Sequence, residues 1–115
     1  MADVTLSKDA DALICAIYKV YLQRRKDGAS KADARLLGGS DSIQEKIIPK
    51  WSFSDVDETC RELGRAGMLD CFYADDVVYI ANLSDAGIIY MEQRFKNGLT
   101  DVLNYLEKIK SILLW

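Results

Sequence analysis

The segment LGRAGMLDCFYADDVVYIANLSDAG, residues 63–87, leaves the chain the fewest structural choices. Gly67 is placed to stop a helix. Cys71 to Tyr73 and Val77 to Ile80 are β-prone, with Ala74, Asp75 and Asp76 at the turn between them. Ser84 then caps a further helix, which Asn97 and Gly98 stop. A helix, a two-stranded hairpin and a second helix in immediate succession ask for a mainly helical α+β domain built round a small sheet.

The flanking sequence supplies the other helices. In SKDADALICAIYKVYLQRRKDG, Ser7 is a plausible N-cap and Leu13, Ile14, Ile17, Tyr18, Tyr21 and Leu22 recur at helical spacing. Gly28 ends this helix after a basic last turn of Arg24, Arg25 and Lys26, which the helix dipole favours. The stretch ASKADARLLGGSDSIQEKIIPKWS is broken by Gly38 and Gly39. Its Ser42-to-Glu45 spacing is a capping-box pattern for a short helix with Ile43, Ile47 and Ile48, stopped by Pro49. It reads either as two short helices or as a helix preceded by a short strand. The next helix is predicted to start at Ser54, with Asp55, Asp57 and Glu58 in its first turn and Val56, Cys60 and Leu63 facing inward.

The last predicted helix, LTDVLNYLEKIKSILLW, places Leu99, Val102, Leu106, Ile109 and Leu113 at alternating spacings of three and four. Leu103, Tyr105 and Ile112 widen that stripe. So broad a face needs more than one neighbour, and the first helix together with a partner subunit's copy would supply them. Residues 1–98 therefore read as one domain. Residues 99–115 read as a helix that packs on it, mediates dimerisation, or does both.

Composition narrows the chemistry. At 115 residues the chain makes one domain with a real core. It has no histidine and three widely spaced cysteines, Cys15, Cys60 and Cys71, so neither a zinc site nor a disulfide is expected. Without histidine the Ser-His-Asp and Cys-His arrangements are closed. The surroundings of Cys60 and Cys71 are acidic and apolar, which disfavours a thiolate. No enzymatic activity and no cofactor is expected. The first residues lack the basic and apolar regions of a signal peptide, and no apolar run approaches the ~20 residues of a membrane span. The expected location is the cytoplasm.

The layout of residues 40–113 resembles the winged helix-turn-helix family of small bacterial and phage regulators. The matching positions are Leu63, Gly67, Met68 and Leu69 before the hairpin, and Leu83, Ser84 and Gly87 after it. The order is also similar to that of the YjcQ-like proteins, with a winged helix followed by one C-terminal helix. The resemblance implies double-stranded DNA as a partner and transcription regulation as a role, with the protein acting as a homodimer. The same positions have structural reasons of their own, since Gly67 and Gly87 suit a helix stop and a close approach and the others read as core.

The charge map opposes the usual docking of such a fold. Net charge is −3, and residues 51–92 alone carry nine acids against two bases, Arg61 and Arg65. Phosphate contacts supply most non-specific DNA affinity and require Lys and Arg on the docking face. Arg61 and Arg65 share a helical face, and Lys46 and Lys50 precede it, so these four are the candidate nucleic-acid contacts. Lys31 and Arg35 lie further back, and Trp51 reads as core more readily than as a stacking wedge. The hairpin has no Lys or Arg and carries Asp75 and Asp76 at its tip. Two readings follow: a dimeric DNA-binding regulator, or a winged helix used for contact with a basic protein partner. The direction in which the Asp75–Asp76 tip points separates them.

Overall fold

A computed structural model describes residues 4–113. Residues 1–3 and 114–115 lie outside the described residues, and with them the very start of the chain and the last two positions of the predicted C-terminal helix. The molecule is α+β and mainly helical, with one three-stranded antiparallel sheet. Among the described residues no helix is long and apolar enough to cross a membrane.

Helix α1 (Lys8–Lys26) starts where expected, the Ser7 hydroxyl accepting the N–H of Ala10 at 3.1 Å. It ends just before Gly28, whose φ is 102°. The sequence marked an apolar stripe on this helix, but every residue from 12 to 18 is at most 2% exposed. Seven consecutive residues span nearly two turns, so α1 is covered on all sides. It is the central element, touching α2 (Lys31–Ala34), α4 (Phe53–Arg65), α5 (Asp85–Arg94), α6 (Leu99–Lys108) and α7 (Lys110–Leu113).

Both alternatives for the middle stretch are realised, because α2 is followed by a three-residue strand, β1 (Leu36–Gly38), and then by α3 (Ser40–Lys46). The capping box does not open α3. The helix begins at Ser40, whose hydroxyl turns inward to donate to Asp57 at 2.8 Å, while the Ser42 N–H is taken by the neighbouring Asp41 carboxylate. Helix α4 likewise starts earlier than the sequence suggested, by two residues, with Ser52 rather than Ser54 as its cap. The loop before it is pinned on both sides. The Trp51 indole N–H donates to the Ile112 carbonyl at 3.2 Å, and the Gln44 amide donates to the Trp51 carbonyl at 3.1 Å.

Strands β2 (Leu69–Ala74) and β3 (Val77–Leu83) form the expected hairpin, and the strand order is β1-β3-β2. Its inner face buries Leu37, Leu69, Val78, Ala81 and Leu83 against α3 and α4. The register slips between Phe72 and Tyr73, which pair with Ile80 and Val78, so Tyr79 is the extra residue of a bulge. The two-residue turn holds Asp75 and Asp76 at φ 51° and 66°. Ser84 caps α5 by accepting the Gly87 N–H at 2.9 Å. A Cβ at Gly87 would sit 2.4 Å from the Met68 carbonyl oxygen, so the approach of α5 to the backbone just before β2 requires glycine.

The predicted single C-terminal helix is two, α6 and α7, divided at Ile109. Of its apolar stripe, Val102, Leu106 and Leu113 are at most 3% exposed and lie among the core residues around α1, while Leu99 and Ile109 are half-buried. The chain's own first helix therefore takes up most of the surface the sequence reading offered to a partner subunit. Leu103, at 46% exposure, is the stripe's outward-facing neighbour.

Candidate functional site

Helix α4 and the hairpin beside it hold two of the four sequence-predicted nucleic-acid contacts, Arg61 and Arg65, and the acidic residues that oppose them. Asp57 organises this region. One of its carboxylate oxygens accepts the Val78 N–H and the Ser40 hydroxyl, both at 2.8 Å, and the other accepts Arg61 Nε at 3.0 Å. Burial alone pushes the Asp57 carboxyl up, but these donors outweigh it and hold the group below its ordinary value. Asp57 was legible only as a first-turn acid. Its position one residue after Val56, with Arg61 four residues on, was the available signal that it lies at the border of the buried stripe.

Arg61 is turned onto the hairpin. Besides Asp57, its guanidinium donates to the Asp76 carbonyl and lies over the Tyr73 ring, 5.0 Å from the centroid. The acidic tip is thereby drawn alongside α4, in the arrangement that disfavours docking of a phosphate backbone on the Arg61 face. Arg65 is 65% exposed and pairs loosely with Glu58 at 3.9 Å. Glu62 accepts both the N–H and the hydroxyl of Ser7, at 2.8 and 2.6 Å, so it fastens the start of α1 to α4. Asp55 and Glu58 complete the exposed acidic row.

Lys46 and Lys50 are exposed, at the end of α3 and in the turn after it, with no ion pair among the described residues. The structure does not join them to Arg61 through any shared contact. Arg35 is committed elsewhere, donating to the Leu83 carbonyl at 2.8 Å and pairing with Asp85 at 2.5 Å; Lys31 also reaches Asp85, at 3.7 Å.

Sequence reasoning missed an open cleft of about 400 Å³ between Phe53, the start of α3 and the first half of β3. Tyr79, Ile80 and Phe53 are 62%, 42% and 41% exposed beside it, and Phe72, the cross-strand partner of Ile80, is 58% exposed. The aromatic and branched residues of FYADDVVYI were legible as strand formers. Their outward direction depends on the bulge at Tyr79, which alternation alone does not reveal.

A second polar cluster joins three helices. Arg94 of α5 forms a two-pronged ion pair with Asp11 of α1 and lies over the rings of Phe95 and Tyr105 at 4.9 and 4.6 Å. The Tyr105 hydroxyl also donates to Asp11. Burial acts to raise the Asp11 carboxyl, yet Arg94 and Tyr105 bring it below its ordinary value. Every strong donor here already has its partner, which makes the cluster a brace. Cys15 and Cys60 are buried, and burial pushes both thiols up to about 12. Among the described residues no group of three Cys, Asp or Glu side chains is arranged to hold a metal ion.

Comparison with protein-family models, with curated proteins and with solved structures finds no match to this chain.

Proposed function

We propose that the chain is a non-enzymatic winged-helix protein in which the α4 and hairpin face serves protein–protein contact rather than DNA reading. Support for the winged-helix reading comes from the helix pair α3 and α4, followed by a hairpin whose inner strand β3 also pairs with β1. Fold alone does not decide activity, and the side chains on this face carry the argument.

The observation that carries it is the engagement of Arg61. The guanidinium that would meet phosphate is held by Asp57, the Asp76 carbonyl and Tyr73. A duplex laid along α4 would meet Asp55, Glu58, Asp75 and Asp76. Each close like-charge pair costs on the order of 1 kcal/mol near a solvated surface. Phe53 on α4 and Tyr79 on β3 are exposed, and the Phe72–Ile80 pair is exposed on the side of the hairpin away from Tyr73; such side chains suit a protein partner.

Fluorescence anisotropy of a labelled mixed-sequence duplex, titrated with protein at low and near-physiological salt, tests this reading. No binding at low salt is expected. Tight low-salt binding that falls steeply with salt, and is lost on Lys46→Ala with Lys50→Ala, would return the chain to the DNA-binding regulators and place the contact on those lysines.

A further inference from the structure

We propose that the cleft between Phe53 and the first half of β3 is the docking site for an extended protein segment carrying one or two apolar side chains flanked by Lys or Arg. This rests on the reading of the chain as a protein-contact module, and adds to it the place and chemistry of the partner.

The cleft follows from the shortness of β1. That strand pairs only with Ala81 and Asn82, so the residues of β3 before them have β2 on one side and no strand on the other. The chain leaving β1 fills part of the gap. Gly39 passes so close that a Cβ there would lie 2.5 Å from the Tyr79 carbonyl oxygen. Beyond Gly39 the space stays open at about 400 Å³, walled by Phe53, Val77, Tyr79 and Ile80. That volume lies within the range of natural ligand pockets, and its walls are mainly apolar. The Phe72–Ile80 pair extends the apolar surface across the hairpin.

Charge decides which occupant fits. Asp41 lines the cleft, Asp76 directly precedes Val77 at its other end, and no Lys or Arg lines it. Arg61, on the adjoining helix, has its guanidinium bound by Asp57 and the Asp76 carbonyl. A nucleic acid would meet these acids with phosphate. A second copy of this chain, docked by two-fold symmetry, would bring Asp41 and Asp76 of both copies into one interface. A segment with an apolar anchor between basic residues instead buries the anchor against Phe53 and Tyr79 and sets its charges opposite both acids.

The test uses an array of labelled peptides in which a central Leu-Phe pair is flanked by Lys/Arg, by Asp/Glu or by Ser, read by anisotropy with the full chain. Basic-flanked peptides are expected to bind at least tenfold more tightly than the others. Phe53→Ser or Tyr79→Ser should weaken that binding at least tenfold, and Asp41→Lys should weaken it while leaving the fold intact by circular dichroism. Leu103→Ser, on α6, should leave it unchanged. Equal binding by acidic or Ser-flanked peptides, or unaltered affinity in the cleft variants, would overturn the proposal. Absence of binding by every peptide would also overturn it, and the duplex titration then tells whether the protein-contact reading falls with it. A dimer in sedimentation that Ile80→Asp converts to monomer would assign the cleft to a second copy instead.

Discussion

The amide N–H of Val78, on the inner strand of the hairpin, donates to the carboxylate of Asp57 on α4 across 2.8 Å. Val78 is 1% exposed, and β1 ends before it can reach this position. A side chain from the helix thus takes the place of the missing strand.

Removing that acceptor should be costly. Asp57→Ala leaves the buried Val78 N–H and the Ser40 hydroxyl without their partner, a loss of about 1–3 kcal/mol for an unsatisfied buried group. Urea denaturation should show a lowered midpoint with an unchanged slope. An unaltered midpoint would mean that water replaces the carboxylate at no cost.

Stability should fall in acid with a defined origin. Asp57 and Asp11 both have carboxyls held below the ordinary value of 3.8. Between the folded and unfolded values the unfolded chain binds more protons, so unfolding gains as pH drops. The contribution of each is complete above the ordinary value and is lost as pH falls through the depressed one. Thermal midpoints measured from pH 6 down to pH 2.5 should decline most steeply below about pH 4. Asp11→Asn and Asp57→Asn should each flatten that decline.

The C-terminal stripe separates into inward and outward positions. Leu106→Ala removes a side chain 3% exposed, beside α1, and should cost about 2–5 kcal/mol. Leu103→Glu alters a residue 46% exposed and should shift stability by less than about 0.5 kcal/mol. Light scattering should give the same mass for Leu103→Glu as for the parent chain. A halved mass would place Leu103 in a subunit interface.

The hairpin turn can be improved. Asp75 and Asp76 both sit at positive φ, the two-residue geometry that Asn-Gly fits best. Asp75→Asn with Asp76→Gly should raise stability by about 0.5–1 kcal/mol, read as a higher thermal midpoint. A lowered midpoint would mean that the attraction between the Asp76 carboxylate and Arg61 outweighs the backbone strain.

Much of this architecture could be read from local chemistry. Ser7 and Ser84 act as the caps their positions suggested, and the stops at Gly28 and Gly67 and the Asp75–Asp76 turn are set by neighbours in sequence. What escaped reading depends on partners far along the chain. Ser40 is fully buried because Asp57, 17 residues away, accepts its hydroxyl. The breadth of the Leu99-to-Leu113 stripe asks for the first helix and a partner's copy, but nothing in its own spacing says how much of it α1 covers. Arg61 is the sharpest instance. Its helical face was legible, but its orientation depends on the Asp76 carbonyl and the Tyr73 ring, which the hairpin delivers only after folding.

The central place of α1 sets the order of assembly. Its covering helices all follow it in the chain, and the last of them come late, since residues 27–98 separate it from α6. Loops of that length close slowly, and long-range contacts of this kind delay folding. At ribosomal speeds of about 5–20 residues per second, α1 waits on the order of ten seconds for α6 to be made. During that interval the face of α1 that Val102 and Leu106 cover in the folded chain has no partner from α6. Exposed apolar surface of that kind is what makes incomplete chains prone to aggregate.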